Sequence, residues 1–260
     1  LRLNHRLILI SAPAGYGKTS LVSDWVIPSG IQTAWISLDE DDNTTARFWT
    51  YLITALNNAD QQHRVRQNAL DLLENSEFTS SKTFLTSLLN DLSALASGHI
   101  LLVLDDYHVI TNPSIHEELS YVLEHHPPQL TLVITTRADP PLPLSRLRAR
   151  SQLTELRISD LRFNNHEITT FLNEKMGLGL AFDEVEALEA RTEGWIVGLQ
   201  LAALSMQGRP DTHTFIESFT GSHHFVLEYL TDEVLQRQSE PLRHFLLETS
   251  ILNRLCGSLC

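Results

Sequence analysis

Apolar residues in the first 160 positions follow two alternating patterns. Short, continuously apolar runs predict β-strands at Leu7–Ser11, Thr33–Leu38, Ile100–Leu104, Leu130–Thr135 and Gln152–Arg157. Apolar residues at helical spacing predict helices near Lys18–Ile27, Thr44–Asn58, Arg64–Glu74, Ser81–Ser97 and Ser114–His125. Strands that alternate with helices, and that are apolar on both sides, predict a parallel sheet covered by helices on both faces. The fold class expected for this part is therefore α/β.

The pattern after Asp160 predicts helices only. They are expected at Asn164–Met176, Asp183–Thr192, Trp195–Gln207, Ser222–Gln236 and Pro241–Ser250. The proline-rich segment Arg137–Pro143 predicts a loop. We place one domain boundary near Ser159 and another near Pro210–Gly221. The chain is thus expected to contain domains at residues 1–159, 160–210 and 211–260.

A glycine-rich segment follows the first predicted strand. The residues Ala12–Thr19 read APAGYGKT, which fits the Walker A pattern with Ala in place of the first Gly. Gly15 and Gly17 allow the backbone to curl so that its N–H groups face phosphate oxygens. Lys18 supplies a charge to the β- and γ-phosphates, and Thr19 offers its hydroxyl to Mg²⁺. The strand before the loop and the helix after it are the context that this motif requires, and they favour it over a simple glycine turn.

Two carboxylates follow the third predicted strand. In P-loop enzymes a carboxylate at the end of a buried strand holds Mg²⁺, and Asp105 occupies that position. Asp106 would orient the attacking water or act as its base. The alternative is a pair of aspartates that caps the next turn. The upstream Walker A motif favours the nucleotide-binding interpretation.

Arg137 follows the fourth predicted strand, where a cation can sense the γ-phosphate through its planar guanidinium. The alternative is a surface arginine that pairs with one of the many acids. Further arginines are expected mainly to balance neighbouring carboxylates; they are Arg146, Arg148, Arg150, Arg157 and Arg162.

The chain is acidic, with a formal net charge of −13 and 42% hydrophobic residues. This charge argues against general binding to DNA or to anionic membranes. The two cysteines, Cys256 and Cys260, exclude a disulfide framework and a four-cysteine zinc site. No apolar stretch is long enough to predict a transmembrane helix. The acidic run Asp39–Asp42 predicts a solvated loop, and the pairs His125–His126 and His223–His224 predict surface histidines rather than metal ligands.

Several segments together resemble one family. The motifs are APAGYGKTSLVSDW, WISLDEDDNTTARFWTYLITAL, LLVLDDYHVI, TTRADPPLPLSRLRAR, LRF and EGWIVGLQLAAL. They resemble the MalT-type (LuxR-family, large ATP-binding) transcriptional regulators, which are signal-transduction ATPases with numerous domains. The chain does not begin with Met, and we expect it to be an N-terminal fragment of a longer protein.

The resemblance implies an ATP- or ADP-binding switch with Mg²⁺, slow ATP hydrolysis that controls self-association, and a cytoplasmic location. It implies metal binding by Thr19 and Asp105, and catalytic roles for Asp105, Asp106 and Arg137. Gly198 and Gln200 lie where relatives have a Gly-x-Pro motif on the adenine side, although Gln200 replaces the proline. Residues 211–260 would begin a winged-helix domain, while the inducer and DNA would bind regions outside this chain. The residues implied in phosphate binding are Ala14, Gly15, Tyr16, Gly17, Lys18, Thr19 and Ser20.

Two other functions remain as alternatives at this point. One is a P-loop ATPase of the initiator or loader type, which would show turnover stimulated by DNA. The other is an interaction module that keeps its nucleotide as a structural element without hydrolysing it.

Overall fold

The computed structural model describes residues 5–59, 81–93, 99–208 and 211–250. The chain divides into two compact units, Leu1–Leu161 and Arg162–Cys260. The three-domain division at residues 159 and 210 stays a prediction. Within the described part, no helix is long and apolar enough to span a membrane. The predicted helix Arg64–Glu74 and the two cysteines lie outside the described residues.

The first unit contains a five-stranded parallel sheet. Its strands are β1 (Leu7–Ser11), β2 (Gln32–Ser37), β3 (Ile100–Asp105), β4 (Leu130–Thr136) and β5 (Leu153–Leu156). Their order in the sheet is β2-β3-β4-β1-β5, and every pair is parallel. The predicted α/β class is confirmed. Because β4 lies between β1 and β3, its carboxyl end separates the glycine-rich loop from the aspartate pair.

Helices cover both faces of this sheet. They are α1 (Lys18–Ser29), α2 (Thr45–Ala59), α3 (Ser81–Ser93), α4 (Pro113–Glu124) and α5 (Leu144–Ala149). Alternate residues of β1 face two different cores, since Leu7 and Leu9 join a cluster with Trp49, whereas Ile8 and Ile10 pack with Val22 of α1. The helix α5 was not predicted, because six residues are too few to display a helical period.

Two aromatic residues of α2, Phe48 and Trp49, lie in the larger core. Trp49 is fully buried, and its ring meets those of Phe48 and Phe84 edge-on, with centroids 5.4 and 5.5 Å away. Its indole N–H donates to the Glu118 carboxylate over 2.6 Å. This bond gives a buried carboxylate a partner and ties α2 to α4.

The second unit is helical over its described residues. It comprises α6 (Asn165–Thr169), α7 (Phe182–Thr192), α8 (Ile196–Met206), α9 (Thr212–Ser218), α10 (His224–Leu230) and α11 (Glu240–Thr249). Asn164–Met176 and Ser222–Gln236 were each predicted as a single helix. In the structure, α6 and α10 are instead each followed by a π-helical turn, at Thr170–Lys175 and Thr231–Leu235 respectively. The apolar stripe continues through such a turn, so the sequence pattern does not reveal it.

Candidate nucleotide-binding site

The glycine-rich loop lies between the end of β1 and the start of α1. Gly15 and Gly17 have φ values of 79° and 70°, in the left-handed region that favours glycine. Gly17 is the N-cap residue of α1, so the loop curls directly in front of the free N–H groups of that helix. The Ala12 N–H donates to the Thr136 carbonyl over 3.2 Å, which attaches the start of the loop to β4. This arrangement suits an anion at the helix N-terminus.

Lys18 is buried beneath the loop, with 7% of its surface exposed. Its ammonium group donates to the Pro13 carbonyl over 3.0 Å. Burial lowers the pKa of Lys18 from its ordinary value; the negative charges of Asp106 and Asp105 oppose that shift, and the positive charge of Arg137 adds to it. The charges of the three other groups that the sequence singled out therefore all act on Lys18.

Asp105 receives hydroxyl hydrogen bonds from two threonines. Thr19 donates to both carboxylate oxygens over 3.0 Å, and Thr135 of β4 donates to Oδ1 over 2.5 Å. Asp105 is only 3% exposed. A buried carboxylate beside a hydroxyl supplies the hard oxygen ligands that Mg²⁺ prefers, so Thr19 and Asp105 fit this metal.

Asp106 is oriented differently from its neighbour. Its side chain is 42% exposed, and Oδ1 lies 3.7 Å from the Nδ1 of His108. Its backbone has φ 58°, a left-handed conformation that is uncommon for a residue with a side chain. The Asp106 N–H donates over 2.9 Å to the same Thr135 hydroxyl that binds Asp105.

Thr135 and His108 are site residues that the sequence reasoning missed. Thr135 is fully buried within a strand. A buried hydroxyl needs a hydrogen-bond partner, so a threonine inside this apolar strand was the available signal. His108 follows the aspartate pair by two residues, which was a weaker signal.

The remaining residues of the predicted phosphate site lie around the loop. Ala14 and Tyr16 are partly exposed, and Ser20 is exposed in the first turn of α1. Arg137 directly follows β4 and is partly buried. Their contacts with nucleotide stay predictions.

Gly198 and Gln200 lie on α8 in the second unit. A Cβ atom at Gly198 would come within 2.6 Å of the Trp195 ring, so this glycine is needed for local packing. Gln200 is exposed. The adenine-side role of these two residues stays a prediction.

The other arginines pair mainly with acids, as expected. Arg148 binds Glu155 through two hydrogen bonds of 2.7 and 2.8 Å. Arg157 contacts both Asp139 and Glu155. These pairs lower the pKa of Glu155 to about 2, with the hydrogen bond from Arg148 as the largest cause. The two further pairs are Arg146–Glu124 and Arg162–Glu193.

Two expectations of solvent exposure hold only in part: Asp39, Glu40, Asp41 and His125 are exposed, whereas Asp42 and His126 are not. Asp42 is 2% exposed because it accepts hydrogen bonds from the Arg47 side chain, over 2.8 Å, and from the Asp39 N–H, over 3.0 Å. His126 is partly buried, and burial is the main cause that lowers its pKa to about 4.

Comparison with known sequences identifies relatives for nearly the whole chain. A family model described as the MalT winged helix domain matches residues 231–260. The chain is 38% identical to the HTH-type transcriptional regulator MalT of Yersinia pestis over 98% of its length, and 37% identical to MalT of Yersinia enterocolitica. It spans 28% of the length of these relatives.

Two solved structures share the fold. One is a Signal Transduction ATPase with Numerous Domains from Pyrococcus horikoshii, which has a tetratricopeptide repeat sensor; it superposes with a TM-score of 0.57 at 18% identity. This match covers 96% of the present chain and 33% of the other. The second is a Walker-type ATPase of Pyrococcus abyssi, with a TM-score of 0.55, 15% identity and coverage of 95% and 72%.

The fold, the matched winged-helix segment and the identity over almost every residue agree with the motifs. The resemblance inferred from the sequence is confirmed: over this segment the chain is similar to the HTH-type transcriptional regulators called MalT.

Proposed function

We propose that this chain is the nucleotide-dependent switch of a transcriptional regulator, which binds ATP and ADP with Mg²⁺ and slowly hydrolyses ATP. The observation that carries this proposal is the grouping of Lys18, Thr19 and Asp105 at one edge of the sheet. Thr19 lies 3.0 Å from the Asp105 carboxylate, and the charges of both aspartates act on the buried Lys18.

Each group has a role in phosphate chemistry. The loop amides and the N-terminus of α1 bind phosphate oxygens, and Lys18 adds a positive charge that water screens poorly. Thr19 and Asp105 would hold Mg²⁺, which would supply neutralisation of charge on the phosphates. Asp106 orients a water and accepts its proton as the water oxygen bonds to the γ-phosphorus and the bond to the β-phosphate oxygen breaks. The products are ADP and inorganic phosphate.

Arg137 gives the two nucleotides different effects on the protein. Its guanidinium is suited to the γ-phosphate, which only ATP carries. A nucleotide shifts a conformational equilibrium only if it binds the two states with different free energies. We propose that this difference controls self-association of the module, while inducer and DNA bind regions outside this chain.

Calorimetric titration with ATP and Mg²⁺ tests nucleotide binding. Lys18→Ala removes charge-assisted hydrogen bonds, each of which contributes about 1.5–3 kcal/mol, so ATP affinity is expected to fall at least tenfold. Lys82→Ala is the matched control, because Lys82 is an exposed lysine on α3, and its affinity should not change. Equal ATP affinity in the Lys18 variant and the wild type would refute the assignment of the loop.

Single-turnover hydrolysis tests the enzymatic part separately. Phosphate release from bound ATP is expected to fall at least a hundredfold in Asp106→Asn, with ATP affinity retained. If neither the wild type nor the variant releases phosphate, the nucleotide is a structural element and the chain is a non-hydrolysing module. Stimulation of turnover by DNA would instead favour an initiator-type ATPase.

A further inference from the structure

The loop that follows β2 contacts the segment that follows Asp106. From these contacts we infer that Asn43 is a positioning residue for the Asp106 carboxylate, an inference that rests on the proposed hydrolysis. Strands β2 and β3 are parallel neighbours, and Ser37 pairs with Asp105 in their register. The Leu38 N–H continues this ladder by donating to the Asp105 carbonyl over 3.0 Å. Both loops therefore leave the sheet at the same edge and side by side.

The Asn43 side chain uses both ends of its amide on the second loop. Its Nδ2 donates to the Val109 carbonyl over 2.8 Å. Its Oδ1 accepts from the N–H groups of Thr111, over 2.6 Å, and Asn112, over 3.2 Å. Asn112 in turn donates from its own amide to the Asn43 carbonyl over 2.9 Å. Asn43 thus binds backbone groups of Val109, Thr111 and Asn112, in a loop more than 60 residues away in the chain.

That loop determines the backbone of Asp106. The residues Tyr107–Val109 form a single 3-10 turn for which Asp106 is the N-cap residue, and the Val109 N–H donates to the Asp106 carbonyl over 3.2 Å. Asn43 binds the carbonyl of this same Val109. The left-handed conformation of Asp106 is unfavourable for an L-residue and persists only where its surroundings hold it. Thr135 holds its N–H from one side, and the turn secured by Asn43 holds its carbonyl from the other.

Asn43 is itself held in place by its own loop. Asp39 and Asp42 form reciprocal hydrogen bonds across the turn Glu40–Asn43, and Asn43 Nδ2 also donates to the Glu40 carbonyl over 3.0 Å. Arg47 binds the buried Asp42 from the first turn of α2. The acidic run therefore functions as a scaffold for Asn43.

The test compares two Asn43 variants of the 260-residue chain by single-turnover ATP hydrolysis and by calorimetry. Asn43→Ala is expected to lower the hydrolysis rate at least tenfold while ATP affinity changes less than threefold. Asn43→Asp keeps the acceptor for Thr111 but loses the donor to Val109, so its rate is expected to fall similarly. Wild-type hydrolysis in Asn43→Asp, or a loss of ATP affinity equal to the loss of rate, would overturn the inference.

A double variant and a matched control separate positioning from general stability. If Asn43 acts through Asp106, adding Asn43→Ala to Asp106→Asn should reduce the residual rate by less than twofold. Asn173→Ala is the control, because Asn173 makes a comparable pair of bonds to Leu180 in the second unit, and its hydrolysis should be unchanged. A positioning role would be contradicted if the rate losses of Asn43→Ala and Asp106→Asn were additive in the double variant. An equal loss of rate in Asn173→Ala would also contradict it.

A crystal structure of Asn43→Ala decides the inference even if the chain proves not to hydrolyse ATP. A lack of hydrolysis would show as equal rates for the wild type and Asp106→Asn. That result would contradict the proposed function and not the positioning of Asp106 by Asn43. The Asp106 backbone of the Asn43 variant is expected to leave the left-handed region. An Asp106 φ that remains near 58°, with its bond to Thr135 intact, would show that Asn43 does not position this residue.

Discussion

At the scale of single residues, one hydroxyl contacts both aspartates of the site. Thr135 donates to Asp105 and accepts from the backbone of Asp106, so it fixes the side chain of the first and the main chain of the second. A buried hydrogen bond to a charged group contributes more than a neutral one, and leaving the acceptor without it costs its desolvation. The orientation of the two aspartates therefore depends on a residue in a third segment of the chain.

Thr135→Val tests this dependence, because valine keeps the shape and removes the hydroxyl. We expect hydrolysis to fall at least tenfold and the free energy of unfolding to fall by about 1–3 kcal/mol. Thr135→Ser should restore most of the rate. Thr131→Val is the control: Thr131 is equally buried on β4, but its hydroxyl bonds to the His5 carbonyl and to His99. Equal losses of rate in the Thr131 and Thr135 valine variants would contradict the specific role of Thr135.

At the scale of secondary-structure elements, two short motifs of the second unit are in contact: Arg162–Phe163, from the motif LRF, and Glu193–Gly194, from the motif EGWIVGLQLAAL. The Phe163 N–H donates to the Gly194 carbonyl over 3.0 Å, and Arg162 lies 3.0 Å from Glu193. Gly194 has φ 71°, and a Cβ atom there would come within 2.4 Å of the Phe163 carbonyl oxygen. The segment that leads into α6 is thereby packed against the junction between α7 and α8, with no room for a side chain.

Gly194→Ala is expected to destabilise the protein by at least about 2 kcal/mol, since both the left-handed backbone and the close contact oppose a methyl group. Gly179→Ala is the matched control, because Gly179 has φ 65° and open space around its Cα. Its cost should be only the backbone preference, about 1 kcal/mol. Urea denaturation followed by circular dichroism measures both, and equal midpoints for the two variants would contradict the packing argument.

At the scale of the whole molecule, the sequence predicted the fold better than the detail of the site. All five strands were predicted within one residue at each end. For β1, β3 and β4 the reason is that a continuous apolar run reflects burial on both faces of the sheet. The roles of Thr135 and Asn43 escaped prediction, since the partners of a hydroxyl or an amide depend on strand register and loop paths that no periodicity encodes. The buried Asp42 escaped for the same reason, because its partner Arg47 becomes apparent only in three dimensions.

The stability of the chain should also depend on pH through His126. Burial, Arg6 and His99 lower its pKa to about 4 in the folded protein, against an ordinary value of 6.5. The unfolded chain therefore binds the proton more readily, and the free energy of unfolding should fall as the pH decreases from about 6.5 towards 4. Urea midpoints at pH 7.5 and pH 5 measure this fall. His126→Gln should reduce the difference between the two midpoints, whereas the control His125→Gln, at the exposed neighbouring residue, should not. Identical pH dependence of the two variants would exclude His126 as the cause.

The central position of β4 has a mechanical consequence. Its last residues bind the phosphate loop through the Thr136 carbonyl, bind the aspartate pair through Thr135, and lead directly into Arg137. A small displacement of this strand would therefore move the proposed phosphate loop, the proposed metal ligand Asp105 and the proposed γ-phosphate sensor Arg137 together. Because all three parts of the site are attached to β4, their positions should change together rather than independently.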